Sequence, residues 1–204
     1  MPEWRVEPLD QAQILFSVAG VARRPRGFRS YFLLYQWSFR WLRSLEVEPV
    51  LEELNRLVHL SVAARPVEKL ALRGLAVELE ERAHLYLGAA AVRAGERVGQ
   101  LRARGAKLLA SRHVFLDFNG IVHPYHDGPA ALELEPARQP YPLAAVRVEG
   151  PARAQLTPGQ TAWHLFAHLQ NYTAARENLS HLAEIVRLNQ VRGISLAQEQ
   201  KQHL

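Results

Sequence analysis

The chain has 204 residues, 48% of them hydrophobic and 22% charged, with a formal net charge of +5. That composition suffices for a core of ordinary size and excludes a disordered tail, a collagen-like chain and a disulfide scaffold. The absence of cysteine excludes thiolate metal sites and cysteine nucleophiles as well.

Residues 1–7 are charged and lack the layout of a signal peptide, and the apolar run 14–18 is too short to span a bilayer. These features predict a cytoplasmic protein with no membrane partner. One methionine and no cysteine give the chain a thermophile-like composition.

The first third reads as helical. Leu9-Asp10 with Gln13 has the form of an N-cap, Leu9 and Ile14 have the spacing of a hydrophobic staple, and Gly20 is a natural stop. A second helix is predicted over about 28–45. A third begins near Pro49, with Leu51, Leu54, Val58 and Val62 on one face, and ends before Arg65-Pro66.

The middle is more ambiguous. Leu75, Val77 and Leu79 alternate with Ala76, Glu78 and Glu80, which is strand periodicity, and residues 84–87 are placed to pair with them. Residues 92–98 around Gly95 read as a hairpin turn, although 83–110 also has the composition of an Ala-rich helix. The glycines there, at roughly 1 kcal/mol each against alanine, favour strands. Val114–Phe118 reads as a strand ended by Asn119-Gly120. Residues 131–135 and 145–149 read as short meander or edge strands. Glu78/Glu80 and Glu133/Glu135 then fall on a solvated sheet face.

The end is helical again. Thr157-Pro158-Gly159-Gln160 matches a capping box with proline at the first helical position. Leu165, Leu169, Tyr172 and Leu179 share a face, and Gly193 is the expected stop. The expectation is a single α+β domain over 1–194. It is helical over 9–64, β-rich over 66–150 with a small, mostly antiparallel sheet, and helical over 157–192. A polar tail follows over 195–204.

The positive charge is almost all arginine, 22 Arg against 3 Lys, and it is unevenly spread. Residues 23–43 hold six Arg and no acid, and 65–112 hold ten basic and five acidic groups; the blocks 44–64 and 113–150 are net acidic. The first basic block also holds dense aromatics: Phe28, Tyr31, Phe32, Tyr35, Trp37, Phe39 and Trp41. On a helix, Arg29, Gln36, Arg40 and Arg43 would form one narrow stripe on an otherwise apolar surface. Arg forks pair with phosphates and aromatic rings stack on unpaired bases. The leading expectation is therefore a non-enzymatic nucleic-acid-binding or accessory protein. Arg23, Arg24, Arg26, Arg29, Arg40 and Arg43 would lie on phosphate, and Trp37 or Trp41 against bases. The plainer alternative is a core helix with its arginine heads emerging at the rim.

Seven of the nine histidines follow residue 112. His164 and His168, at i and i+4, have the spacing to hold one metal ion; His123, His126 and Asp127 of a loop, with Asp117, would add ligands. This arrangement defines a second reading, a metal-dependent hydrolase. A third is a structural or interaction protein whose aromatic helix forms a homodimer interface. There is no phosphate-binding glycine loop, dinucleotide fingerprint or nucleophile elbow, so no cofactor is expected. The expected partners are nucleic acid and a second copy of the chain.

Overall fold

A computed structural model describes residues 3–6, 14–19, 31–36, 39–63, 69–126, 133–150, 153–170 and 175–197. The chain divides into two compact units, Met1–Ser61 and Val62–Leu204.

The first unit is a four-stranded antiparallel sheet followed by a helix. Its strands, β1 (Glu3–Val6), β2 (Ile14–Ala19), β3 (Phe32–Gln36) and β4 (Phe39–Ser44), are ordered β1-β2-β3-β4. This corrects the helices expected over 9–20 and 28–45, and with them the helical N-terminal third. Aromatic side chains lose rotamer freedom against the preceding turn of a helix and suit a pleated, half-buried surface instead. The segment also has too few polar residues to fix a helical phase, so the narrow arginine stripe carried little information. Helix α1 (Glu48–Ala63) does form, stopping just ahead of Arg65-Pro66. Its buried face is Val50, Leu54, Leu57 and Val58, which pack on Phe32, Leu34 and Leu42 of the sheet. Leu51 and Val62, expected on that face, are exposed. Both faces have helical spacing, and contact with the sheet decides between them.

The second unit is built on an eight-stranded mixed sheet, not the small, mostly antiparallel one expected. Its strands are β5 (Lys69–Leu79), β6 (Arg82–Leu87), β7 (Lys107–Ala110), β8 (His113–Asp117), β9 (Ile121–His123), β10 (Tyr141–Gly150), β11 (Ala154–Leu156) and β12 (Arg192–Ala197). They run in the order β11-β12-β10-β6-β5-β8-β9, with β7 also on β5. Strand β10 lies parallel to both β6 and β12, so it is a central strand where an edge was expected. It also pairs with β9 at Tyr141 and Pro142, closing a circuit of pairings through β6, β5, β8 and β9. Parallel neighbours need long crossovers, and helices supply them.

Those helices are α2 (Ala89–Glu96) and α3 (Val98–Ala103), then α4 (Pro158–Ala167) and α5 (Ala175–Leu188). Alternation along β5 serves both sides of the sheet. Leu70, Leu72 and Ala76 join Ala162, Leu165, Leu182 and Ile185 of α4 and α5 in one core; Leu75, Val77 and Leu79 join Ala94 and Leu101 of α2 and α3 in another. The hairpin expected around Gly95 is therefore a pair of helices. Gly95 falls in the last turn of α2 and Gly99 in the first turn of α3, and burial of Ala90, Ala94 and Leu101 outweighs their cost.

The β5–β6 hairpin forms as expected, with His84 opposite Val77 and Leu87 opposite Gly74. Its two turn residues, Glu80 and Glu81, both have positive φ, and the Glu81 amide donates to the carboxylate of Glu78 at 2.8 Å. Glu78 is buried, so it caps a turn and does not lie on a solvated face.

The capping box at Thr157 is present in full: the Gln160 amide donates to Thr157 Oγ1, and the Thr157 amide to Gln160 Oε1. The single helix expected over 157–192 is nevertheless two. Gln190, at φ 50, follows the end of α5, while Gly193 lies inside β12. A Cβ at Gly193 would collide with Thr161 Oγ1 and crowd Leu156. The expected polar tail starts inside β12, where Ser195 is buried. Among the described residues no helix is long and apolar enough to cross a membrane.

Candidate nucleic-acid interface

The register of the first sheet sorts the residues of the basic aromatic segment onto two faces. Leu34 lies opposite Leu42 and Phe32 opposite Ser44, on the face that meets α1. Alternation puts Leu33 and Tyr35 on the other face, where Leu33 lies opposite Arg43 and Tyr35 opposite Arg40. Arg40 and Arg43 are exposed; Tyr31, Leu33 and Tyr35 are half-buried. The Arg43 guanidinium stands 3.5 Å from the centroid of the Tyr31 ring, a cation–π contact that holds its fork over the sheet. No other described element of this unit packs on that face.

Trp41 takes a different place. The pairing shifts between Leu34 and Tyr35, so Trp41 is the extra residue of a bulge with no cross-strand partner. Its ring is 47% exposed, but its indole N–H donates to Glu53 Oε1 of α1. Glu53 also receives Arg56 Nε at 2.7 Å. That hydrogen bond with Arg56 lowers the Glu53 pKa; slight burial opposes it, and the Trp41 hydrogen bond adds to it. Trp41 is thus turned toward the helix and away from Arg40 and Arg43. Arg23, Arg24, Arg26, Arg29 and Trp37 lie outside the described residues. Tyr31 and Tyr35, counted among the aromatics of the sequence but given no role there, carry the aromatic surface of the arginine face. The period-two run Tyr31, Leu33, Tyr35 is the signal that would have found them.

In the second unit the imidazoles of His123, His126 and His168 each have a protein partner. His123 Nε2 lies 2.9 Å from Asp117 Oδ2. Burial raises the Asp117 pKa, but His123 and the amides of Ile121 and Asn119 outweigh it, and the carboxyl titrates below its usual range. His126 Nε2 lies 3.2 Å from the carbonyl of Ala137, and His168 Nδ1 lies 2.9 Å from the carbonyl of His164. The His164 pKa is lowered by burial and then by His168. Asp127 lies outside the described residues. Among those described, no three His, Cys, Asp or Glu side chains are grouped to hold a metal ion.

A pair that the sequence did not suggest joins β6 to β10. Arg147 Nη1 donates to His84 Nδ1 at 2.6 Å, and its guanidinium lies 5.1 Å from the Tyr86 ring centroid. Burial, then the positive charges of Arg147 and Arg104, push His84 down to about 4. His84 is therefore a neutral acceptor at neutral pH.

Compared with protein-family models, with curated proteins and with solved structures, the chain matches none.

Proposed function

We propose that the chain is a non-enzymatic nucleic-acid-binding or accessory protein that takes up a single strand on the β3–β4 face of its first unit. The observation that carries this reading is the register that gathers Tyr31, Tyr35, Arg40 and Arg43 on one face while α1 occupies the other. Arg forks match phosphate oxygens, and tyrosine rings on a flat sheet offer stacking platforms to unpaired bases without requiring a particular sequence. The sequence run 23–43, which includes β3 and most of β4, carries six Arg and no acid. Trp41, committed to Glu53, acts in this scheme as a brace between β4 and α1.

Fluorescence anisotropy with labelled single-stranded DNA and RNA oligonucleotides tests the reading. The expected result is saturable binding at low salt that weakens at least tenfold in Arg40→Ala/Arg43→Ala and severalfold in Tyr35→Ala. Absence of binding to either nucleic acid at about 50 mM salt would remove the proposal.

A further inference from the structure

The second basic block of the sequence also converges, and it does so in the other unit. Arg93 of α2, Arg97 between α2 and α3, and Arg104 just after α3 line a cavity of about 390 Å³. Arg147 of β10 and Arg153 before β11 complete the lining. Five arginines line one cavity whose lining residues include no carboxylate. Tyr86, Ala94, Leu101 and Leu196 give it an apolar wall.

The hydrogen-bonding of Arg93 is incomplete. Arg93 Nη1 donates to the carbonyl of Ala197 at 2.8 Å. Its Nη2 lies 2.7 Å from Glu149 Oε1, an ion pair that is close but not aligned as a hydrogen bond. Nε and Nη2 of Arg93 are thus buried without a hydrogen-bond acceptor among the described residues. Arg147 is half-buried and spends a donor on neutral His84. Burial lowers its pKa; Tyr86 opposes that shift and Arg104 adds to it. Among the described residues no carboxylate pairs with Arg104, Arg147 or Arg153. Like charges held together at a partly desolvated site are costly without a counter-charge. A bound anion would supply the counter-charge.

We propose that this cavity binds a small phosphorylated molecule bearing a diphosphate or an equally dense anionic group. Arg104, Arg147 and Arg153 would hold its oxygens, and Arg93 and Arg97 would add positive charge at the wall. The volume is that of a small-molecule site. Planar Arg forks match phosphate oxygens two at a time, and several forks around one group favour a multiply charged ligand over a lone carboxylate. The apolar wall accommodates an organic portion. This site is independent of the single-strand face, since all its residues belong to the second unit.

Isothermal titration calorimetry of the full chain with pyrophosphate, and separately with ADP, tests the proposal. One saturable site is expected, with affinity reduced about tenfold in each of Arg104→Ala and Arg153→Ala. Both side chains are exposed, so their removal leaves the fold in place. Arg138→Ala, exposed and outside the cavity, should bind as the native chain does. ADP binding at least tenfold tighter than pyrophosphate assigns the apolar wall to an organic group; equal affinities assign recognition to the diphosphate alone. Three results would overturn the proposal. One is the absence of saturable binding to both probes, and another is native affinity in both variants. The third is displacement of pyrophosphate by a single-stranded oligonucleotide that itself weakens in Arg104→Ala, which would give the cavity to nucleic acid.

Discussion

The two units use their sheets in opposite ways. In the second, helices lie on both sides, and alternate residues of β5 enter one core or the other. In the first, α1 meets one face, and among the described residues Leu34, Val50 and Leu57 are the buried centre of the core between them. A sheet covered on both sides spends its side chains on stability and leaves recognition to its edges and cavities. A sheet covered on one side keeps a row of side chains free to meet a partner. The candidate sites follow this division: an arginine–tyrosine sheet face in the first unit, an arginine-lined cavity between helices and strand ends in the second.

Core truncation should expose the difference most strongly. Leu85→Ala, in the larger core, is expected to cost about 3–5 kcal/mol, and Leu34→Ala, in the smaller one, about 2–3 kcal/mol. Hydrogen exchange read by mass spectrometry should localise each loss to its own unit. Equal loosening of both units by either variant would mean that they do not act as separate cores.

The next effect concerns how closely helix and sheet approach. Gly193→Ala should destabilise by about 1–3 kcal/mol, because the new methyl runs into Thr161 of α4. An unchanged melting temperature would show that β12 and α4 are farther apart than described.

Acid should weaken the second unit through His84. Its folded pKa of about 4 lies below the unfolded value of 6.5, so the unfolded chain binds the proton first. The stabilisation is complete above pH 6.5, declines as pH falls from 6.5 to about 4, and is lost below that. The full shift corresponds to roughly 3 kcal/mol, which screening on the part-exposed imidazole reduces to about 1–2 kcal/mol. Urea midpoints measured between pH 4 and 7 should show this slope in the native chain and a shallower one in His84→Gln. Equal slopes would contradict the assignment.

The smallest effect is local. Thr157→Ala removes the hydroxyl of the capping box and should cost about 1 kcal/mol, seen as a small drop in melting temperature. A loss several times larger would mean that Thr157 supports more than the start of α4.

What could be read in advance followed from the range of the interactions involved. The capping box is complete within four residues, and the β5–β6 hairpin within one turn, so local pattern sufficed for both. Helix α1 was legible for the same reason, though not its buried face, which depends on where β3 and β4 lie. The parallel position of β12 was hidden because its partner β10 lies across two helices, and Gly193 looks like a helix stop until Thr161 is seen beside it. The aromatic segment misled because its near-continuous apolar character satisfies a helix and a strand alike. Of the proposed arginine face, Arg40 and Arg43 stood out by composition, whereas the place of Tyr31 and Tyr35 beside them needed the strand register. Of the arginine cavity, Arg93, Arg97 and Arg104 fall in a basic block visible in the sequence, but their convergence with the distant Arg147 and Arg153 was not legible.

The salt dependence of single-strand binding tests the central claim most directly. If the β3–β4 face holds the phosphates, the logarithm of affinity should fall linearly with the logarithm of salt concentration. Arg40→Ala/Arg43→Ala should lower that slope by about 1.4, or roughly 0.7 for each lost phosphate contact. Binding that is insensitive to salt, or a slope that the double variant leaves unchanged, would contradict the account.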